Sequence, residues 1–508
     1  MHKKTESDAA PHTSRQSLNN LKSGQAYKGD VLIISRIQPG PIIYTITDGS
    51  SSIEALTYPS ASKEGYSVGD VVSITGKAVD RGRQLQIEIN SLKSTGISQE
   101  SFLDDAVLID TDRLSVQTKG YNTLLPHIIR SARCIKKAYT AGHSIIIKHH
   151  NDADGISAAL ALHAALEPIV QRNGYPQRMP LLRFVSRSPY YDITDLFKEL
   201  EFINRQNLRP FFIFLDIGSG KENNFAFSLL NQLDIPFCVI DHHGSEDLGS
   251  ITALSRDHLN PHLYGLDSSI TAGMLSFEVA CILDSKVAAS SPILPAISAI
   301  GDKSDSAEAQ HYISKSKLSS EDLMRYALAL DFMSYNLRYD SGDFLYDRII
   351  RDKAFAYSLA EHADGLLARS AHLVPKKIQH HGSNKDASCI IVDLSTHPAH
   401  SFPPPGKLTG YIFRQHGRSS RSSEDQLRYC VCGVLDDGLI LRSTKSSLTL
   451  SSLASILSEQ FKDLADSAIT YAGHESAGTI SFPPAIREEV KAFLQENLLS
   501  LLISVPKQ

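Results

Sequence analysis

Short apolar runs, each followed by sequence of helical character, are the main feature of the chain from about residue 104 onward. Three such runs lie at 144–149, 211–215 and 237–240, and a helix rich in Ala and Leu is predicted over 156–166. Strands that are apolar along their whole length and alternate with helices are typical of a parallel sheet covered on both faces. We therefore predict an α/β fold for this region. A mixture of strands and helices returns after residue 387.

Residues 24–92 have a different pattern, in which short candidate strands are separated by turns. The strands are predicted at 30–35, 42–47, 52–58, 71–75 and 84–89. Five strands in so short a segment favour a small Greek-key barrel of the oligonucleotide-binding (OB) type, with an unrelated small β-domain as the alternative. Tyr44 and Tyr58 are candidates to stack on bases, although tyrosines in small barrels often only pack.

Acidic and histidine residues follow the apolar runs, in four places along the chain. These places are His149–Gly155, Asp216, Asp241-His242-His243 and Gly301-Asp302, the last of them after the apolar stretch 293–300. We predict that each ends a buried strand, so that the four meet in one crevice at the carboxyl edge of the sheet. One such residue alone is often a helix cap or a turn residue. Carboxylates with imidazoles and no thiolate suit Mn²⁺ or Mg²⁺.

The same residues resemble a known family. Asp152-x-Asp154, Asp216, Asp241-His242-His243 and Gly301-Asp302 resemble the four motifs of the DHH phosphoesterase superfamily. Ala472-Gly473-His474, followed by Ala477-Gly478, is similar to the Gly-Gly-His motif of its associated C-terminal domain, and Leu441-Arg442-Ser443 to that domain's substrate-contacting strand. The resemblance covers roughly residues 104–484. It is greatest to the RecJ-like branch, in particular to archaeal single-strand exonucleases with an OB domain.

Two departures from the family pattern stand out. Bacterial RecJ has a further Asp two positions before the Asp-x-Asp pair, where this chain has His150. An imidazole also binds Mn²⁺, so the resemblance still implies a filled site of lower ligand charge. Ala472 replaces the first Gly of the Gly-Gly-His motif.

The resemblance implies hydrolysis of phosphodiesters with two divalent cations, Mn²⁺ preferred and Mg²⁺ possible. The implied metal ligands are His150, Asp152, Asp154, Asp216, His242 and Asp302. Asp216, Asp241 and His243 are the implied catalytic residues, where Asp216 bridges the cations, Asp241 orients His242, and His243 contacts a phosphate oxygen. The implied substrate-binding residues are His243, Arg442, Ser443, Gly473 and His474.

The predicted domain organisation follows from the pattern changes and from the resemblance. A flexible tail at 1–21 precedes an OB-fold domain at 22–97 and a DHH catalytic domain with a parallel sheet at 100–312. A helical connector at 313–385 leads to a smaller α/β substrate-binding domain at 386–508, expected across a cleft from the catalytic domain.

Composition narrows the partners of this 508-residue chain. Its net charge of −5 gives no overall basic field, so any polyanion site must be local. Two candidate basic clusters are present, and each could also be a solvated face. They are Arg130, Arg133, Lys136 and Lys137, and Arg414, His416, Arg418 and Arg421.

The six cysteines have no Cys-x-x-Cys spacing, which indicates reduced thiols in the cytoplasm, and Cys430 and Cys432 are expected on one strand face. No apolar run reaches the roughly 18 residues of a membrane span.

Three functions compete at this point. The leading one is a 5′-directed exonuclease on single-stranded DNA that acts in repair or replication. The second is a phosphodiesterase for oligoribonucleotides or cyclic dinucleotides. The third is a non-catalytic replication subunit that binds a GINS-type complex. The barrel and the long connector favour a polymeric substrate over a dinucleotide.

Overall fold

The computed structural model describes residues 17–57, 65–82, 84–109, 114–172, 180–186, 188, 190–245, 247–337, 340, 342–381, 387–398, 401–419, 428–444, 448–465 and 468–504. The described residues group into two compact units. One extends to Ala327 and the other begins at Leu328, except that residues 340 and 342 belong to the first unit. None of the described helices combines the length and the apolar character that crossing a membrane requires.

The first unit begins with a closed barrel of five strands, in the order β1-β2-β3-β5-β4. The strands are β1 (Ala26–Ile37), β2 (Ile42–Thr47), β3 (Ser52–Thr57), β4 (Val71–Arg81) and β5 (Gln84–Ser94). β3 and β5 run parallel, and the other neighbours are antiparallel. Tyr44 is fully buried in the core of the barrel, so this tyrosine packs and does not offer a stacking surface. Tyr58 lies outside the described residues.

A five-stranded parallel sheet follows, in the order β10-β9-β8-β6-β7. Its strands are β6 (Ser144–His149), β7 (Leu181–Val185), β8 (Pro210–Leu215), β9 (Phe237–Ile240) and β10 (Asp257–Leu259). β6, β8 and β9 are the three apolar runs of the sequence, and every residue of them is buried. The structure therefore confirms the predicted α/β class with an N-terminal barrel.

Helices surround this sheet and continue the chain towards the second unit. They are α1 (Gln99–Ala106), α2 (Lys119–Thr140), α3 (Ala153–Arg172), α4 (Ile193–Arg205), α5 (Asn224–Gln232), α6 (Leu248–Leu254), α7 (Ala272–Leu283), α8 (Val287–Ser290), α9 (Leu294–Gly301), α10 (Ala307–Ser316) and α11 (Ser320–Leu337). Phe102 and Leu103 of α1 pack on Leu32 and Val71 of the barrel, which ties the barrel to the sheet domain.

One predicted strand is a helix. The apolar stretch 293–300 was expected to end in Asp302 as a buried strand does, but it forms α9, and Asp302 is the residue that caps its C-terminus. Pro295 is favourable in the first turn of a helix, and α9 is apolar apart from Ser298 because it is buried on most sides. Short apolar runs do not distinguish a buried strand from a buried helix.

The second unit contains a six-stranded sheet in the order β11-β12-β13-β14-β16-β15. The strands are β11 (Lys376–His381), β12 (Ala387–Asp393), β13 (Arg428–Val434), β14 (Gly438–Ser443), β15 (Thr470–His474) and β16 (Ala477–Ser481). The helices are α12 (Asp343–Arg351), α13 (Lys353–Leu373), α14 (Pro405–Ser419), α15 (Leu450–Gln460), α16 (Lys462–Ala465) and α17 (Arg487–Ser504). β11 lies within the predicted connector, and the domain boundaries stay predictions.

The two faces of this sheet have separate apolar cores. Ile390 and Val431 pack with α14, whereas the face that carries Cys430 and Cys432 packs with α15 and α17. Both cysteines are buried free thiols on one strand face, as the alternation predicted.

Candidate metal centre

The motif residues meet because three neighbouring strands end at the same edge of the sheet. β9, β8 and β6 are adjacent and parallel, so the residues that follow them are also neighbours. Asp216 comes directly after β8, and Asp241 directly after β9. Asp152 follows β6 and caps the N-terminus of α3, where its Oδ1 accepts a hydrogen bond from the amide of Gly155 at 3.1 Å.

His150, Asp152 and Asp216 form the first group of candidate ligands. Nδ1 of His150 lies 3.0 Å from Oδ2 of Asp152 and 3.3 Å from Oδ2 of Asp216. The two carboxylates raise the pKa of His150 well above its ordinary value, although burial alone would lower it. The imidazole and the two carboxylates therefore converge on one point from three directions.

His242 stands at the centre of the second group, with Asp154 and Asp302. Its Nε2 lies 3.6 Å from Oδ2 of Asp154, 3.2 Å from Oδ2 of Asp302 and 3.3 Å from Oδ1 of Asp216. Its Nδ1 lies 2.7 Å from the carbonyl oxygen of Ser268. In the neutral ring, Nδ1–H donates to that carbonyl, and the lone pair of Nε2 points at the carboxylates, which is the tautomer of a metal ligand.

Asp216 connects the two groups. One carboxylate oxygen faces His150, and the other faces His242. Oδ1 of Asp216 is buried and accepts no hydrogen bond from the residues that the structure describes. Its φ of 58° is also in the left-handed region, which a non-glycine residue adopts at a cost and which is common at functional sites. A buried acceptor held in this way fits a cation ligand.

Asp154 is fixed in position by the start of α7. Its oxygens accept hydrogen bonds from the amides of Ala272 and Gly273, at 3.1 and 2.7 Å, and from the hydroxyl of Ser298 at 2.6 Å. The approach is close, because a Cβ atom at Gly273 would lie 2.7 Å from Oδ1 of Asp154. Burial and the neighbouring charges of Asp216 and Asp302 raise the pKa of Asp154 well above its ordinary value. Cations between the carboxylates would remove this repulsion, so the donor set fits hard divalent ions.

Asp241 is placed differently from its predicted role. Its Oδ1 accepts the backbone amides of His242 and His243, at 2.7 and 3.2 Å, and lies 2.8 Å from Nδ1 of His243. It thus contacts the ring of His243 and the backbone of His242, whose own ring is oriented by the carbonyl of Ser268. Burial would raise the pKa of Asp241, but the charge of His243 holds it far below its ordinary value. The same pairing raises the pKa of His243 against the effect of burial.

A buried polar network behind this loop was not predicted. The Ser219 amide donates to Oδ2 of Asp241 at 2.9 Å, and the Ser219 hydroxyl accepts from the amide of the Asn260 side chain at 2.9 Å. Asn260 also donates to the carbonyl of His243 at 3.0 Å. Ser219 belongs to a Gly-Ser-Gly sequence that reads as a plain turn, and Ser268, Asn260 and Ser298 have no pattern around them that marks them.

The predicted substrate-binding residues other than His243 lie in the second unit. Arg442 of β14 pairs with Ala477 of β16, and Ala477 pairs in turn with His474 of β15. Gly473 has a φ of 121°, and Ser443 is buried. These residues therefore meet in one corner of the six-stranded sheet, whereas the metal ligands belong to the first unit.

Two arginines lie side by side in that corner. Burial, and then the charge of Arg414, lower the pKa of Arg442 to about 10. Both side chains run along α14 beside Gly410, where a Cβ atom would lie 3.7 Å from Arg414 and 3.8 Å from Arg442. Nη1 of Arg442 donates to the carbonyl of Leu441 at 2.8 Å. Guanidinium groups form charge-assisted hydrogen bonds with anions such as phosphate.

The first basic cluster is largely used within the protein. Arg130 pairs with Asp257 and Lys137 with Asp104, while Arg133 and Lys136 donate to backbone carbonyls in the segment 104–108. In the second cluster, Nε2 of His416 lies 2.6 Å from the hydroxyl of Ser388. The side chain of Arg418 and the whole of Arg421 are outside the described residues.

Comparison with known proteins gives the following. No protein-family model matches the chain. An uncharacterized protein of Methanocaldococcus jannaschii is 26% identical over 522 residues, which cover 91% of this chain and 67% of the relative. A solved DHH domain, from a protein described as a member of a family of ribosomal proteins, is 26% identical with a TM-score of 0.71, over 79% of this chain and 97% of that domain. RecJ from Thermus thermophilus in complex with Mn²⁺ is 15% identical with a TM-score of 0.46, over 78% and 56% of the two chains.

Proposed function

Because the chain belongs to the DHH superfamily, we propose that it is a metal-dependent phosphodiester hydrolase that degrades single-stranded nucleic acid. The finer proposal is a RecJ-like 5′-directed exonuclease on single-stranded DNA, working in the cytoplasm in repair or replication. The observation that carries the proposal is Asp216, whose two oxygens face two separate groups of ligands. Such a carboxylate suits a pair of cations.

The cations would be held by residues from both groups. His150 and Asp152 would hold one ion, and Asp154, His242 and Asp302 the other, with Asp216 shared between them. When bound, such cations make water nucleophilic at neutral pH and stabilise negative charge on the leaving oxygen. Mn²⁺ is the preferred ion in this proposal, because imidazole ligands suit it better than Mg²⁺.

The remaining residues would hold and orient the substrate. Asp241 fixes the ring of His243 through Nδ1, and the side chain of His243 is 37% exposed. The raised pKa of His243 favours the protonated ring, whose Nε2–H would donate a hydrogen bond to a phosphate oxygen. Arg442 and the backbone at Gly473 and His474 would bind the terminal nucleotide, with the charge-assisted hydrogen bonds of a guanidinium supplying orientation.

Degradation of end-labelled strands tests the proposal. DNA and RNA strands, labelled at either end, are incubated with Mn²⁺, with Mg²⁺ or with EDTA. We expect a ladder of short products from DNA that requires a divalent ion and begins at the 5′ end. Cleavage restricted to dinucleotides or cyclic dinucleotides would replace the polymer substrate with a small one. Inactivity with both ions, together with binding of a GINS-type complex, would make the protein a replication subunit.

The hydroxyl of Ser298 gives a test of the metal centre that does not depend on turnover. Ser298→Ala removes one hydrogen bond to Asp154 without adding bulk. Mutation of a residue that orients a metal ligand typically lowers metal affinity by about tenfold to a hundredfold, so we expect the Kd for Mn²⁺ to rise by at least about tenfold. Calorimetric titration measures it. Ser276→Ala, in the neighbouring α7 and equally buried, is the matched control with an expected wild-type Kd. An unchanged Kd in Ser298→Ala would contradict the placement of Asp154 in the site.

The barrel gives a second test. A strand long enough to reach the barrel gains affinity that a short one lacks, so deleting residues 1–92 should slow degradation of long strands more than of short ones. Deletion also exposes Phe102 and Leu103 of α1, which now pack on the barrel. A gentler variant is therefore Lys28→Glu with Lys77→Glu, two lysines on neighbouring strands β1 and β4. We expect at least about a fivefold slower degradation of long strands at low salt, and equal losses on short strands would contradict the barrel's role.

A further inference from the structure

The first unit has a concave feature at the edge of its parallel sheet that lies opposite the metal centre. A cavity of about 970 Å³ is lined by Pro210 and Phe211, where β8 begins, and by Pro236, directly before β9. The candidate metal ligands follow the other ends of these strands. The cavity is therefore separate from the metal centre, and it is large enough for a nucleotide.

Two arginines in its wall carry charge that no carboxylate of the described residues offsets through an ion pair. Arg209 precedes β8 and donates to the carbonyl of Ala141 at 2.9 Å, and Arg256 precedes β10. Neither forms an ion pair with any residue that the structure describes, unlike Arg130 and Lys137, which line the same cavity and are paired. Glu100 and Asp234 also line it, and in the described part of the chain neither of them pairs with these arginines.

His143 lines the same cavity as the two arginines. Nδ1 of His143 lies 3.0 Å from the carbonyl oxygen of Pro210. Burial, followed by the charge of Arg209 and, more weakly, of Arg256, lowers the pKa of His143 to about 4. The imidazole is thus neutral at physiological pH, and both guanidinium groups are close enough to act on the same ring.

The rest of the wall is partly apolar. Ile203, Leu208, Leu233 and Pro236 line the cavity, and Leu233 is 53% exposed. Uncompensated guanidinium groups bind phosphate, and an exposed apolar surface packs against a flat ring. A nucleotide has both of these parts.

We propose that this cavity binds a nucleotide unit, with its phosphate between Arg209 and Arg256 and its base against Leu233 and Pro236. The choice of ligand rests on the proposed function, in which nucleotides are the units of the substrate and also the products. The unit belongs either to a strand that passes over this edge of the sheet or to a free mononucleotide.

Fluorescence anisotropy of the full chain in EDTA tests the proposal without hydrolysis. One probe is a fluorescent oligothymidylate strand, and the other a fluorescent deoxyadenosine monophosphate. For at least one probe, we expect Arg209→Gln with Arg256→Gln to raise the Kd by about tenfold or more at low salt, since two phosphate contacts are lost. For the strand, the slope of log Kd against the logarithm of the salt concentration should also fall by about two, because about two fewer counterions are released on binding.

The control variant removes two arginines elsewhere in the same unit. Arg205 and Arg325 are exposed and each pairs with a glutamate one helical turn away, so Arg205→Gln with Arg325→Gln changes the net charge equally. A loss for the strand alone assigns the cavity to the path of the substrate, and a loss for the mononucleotide assigns it to a free nucleotide. Wild-type affinity for both probes in the double variant, or an equal loss in the control, would overturn the proposal.

A single charge reversal provides a second variant if the double variant unfolds. Arg256→Glu changes an exposed side chain that forms no ion pair with the residues that the structure describes. It should weaken binding of the same probe. EDTA is present throughout, so these binding measurements do not depend on whether the protein hydrolyses nucleic acid. A failure to bind either probe would count against the cavity and would not count against the proposed metal centre.

Discussion

Replacing Asp216 with asparagine is expected to lower Mn²⁺-dependent hydrolysis by at least about a thousandfold, since a shared ligand supplies several kcal/mol of stabilisation through both cations. Asparagine keeps the size of the side chain and tolerates the left-handed backbone that residue 216 adopts, at a φ of 58°. The substitution therefore removes charge with little change of shape. In metal-free protein it also removes repulsion with Asp154, so we expect the melting temperature without metal to be unchanged or higher.

The matched control is Asp234→Asn. Asp234 also has a positive φ, of 53°, and lies in the turn after α5, outside the motifs. It lines the cavity at the opposite edge of the sheet, so it is a control for the effect of Mn²⁺ on the melting temperature and not for turnover. In wild-type protein and in this control, Mn²⁺ should raise the melting temperature, because an ion that binds only the folded state stabilises it. In Asp216→Asn that rise should be largely lost. Substantial turnover with Mn²⁺ in Asp216→Asn, or a full rise in melting temperature, would contradict the assignment of a shared ligand.

The clustering of the acidic motif residues was predictable, because they follow directly after strongly apolar runs. The runs at 144–149, 211–215 and 237–240 form adjacent parallel strands, so Asp152, Asp216 and Asp241 had to end at one edge. Residues that are far apart in the sequence are therefore close in the structure, because the strands that precede them are adjacent and parallel. The role of each ligand in catalysis stays a prediction, as do the two ions.

The residues that orient the ligands were beyond the sequence pattern. Ser298 reaches Asp154 across 144 positions, and Ser268 reaches His242 through its backbone carbonyl. A carbonyl has no signature in a sequence, and serines are common. These contacts depend on how α7 and α9 pack against the sheet edge, which periodicity does not encode.

Two secondary-structure elements were not predicted correctly: the helix α9 was expected to be a strand, and the strand β10 was not expected at all. Apolar residues at 293–300 satisfied the pattern of a buried strand, although burial on most sides gives a helix the same composition. β10 has three residues, two of them the polar Asp257 and His258, and their burial depends on partners such as Arg130 and Ser219. A short polar strand has no periodicity from which to recognise it.

The basic clusters show the limit of reading charge from sequence. Arg130, Arg133, Lys136 and Lys137 are close together in α2, yet in the structure they bind Asp257, Asp104 and nearby carbonyls. Arg209 and Arg256 are isolated in the sequence, and only the fold brings both to His143. Whether a basic residue has an ion-pair partner depends on the fold and cannot be predicted from its neighbours in the sequence.

Arg442 is the residue through which the second unit is expected to act on the substrate. Its guanidinium is largely buried next to Arg414, which lowers its pKa to about 10, a value at which it is still charged at neutral pH. Burial of the Arg442 guanidinium beside the charge of the exposed Arg414 disfavours its charged form, and a bound anion would favour that form again. The proposal that Arg442 binds a phosphate of the substrate depends on the planar, charge-assisted hydrogen bonds that a guanidinium forms.

Arg442→Ala is expected to lower kcat/KM on a single strand by roughly tenfold to a hundredfold, which corresponds to about 1.5–3 kcal/mol for one charged hydrogen-bonding group. The affinity for Mn²⁺ should not change, because Arg442 belongs to a different unit from the candidate ligands. Arg442→Lys keeps the charge and removes the planar fork, so most of the loss should remain in that variant. Arg369→Ala, at an exposed position of α13 in the same unit, is the control, with an expected wild-type rate. Wild-type kcat/KM in both Arg442 variants would show that this corner of the six-stranded sheet does not bind the substrate, whereas an equal loss in Arg369→Ala would point to a general effect of charge.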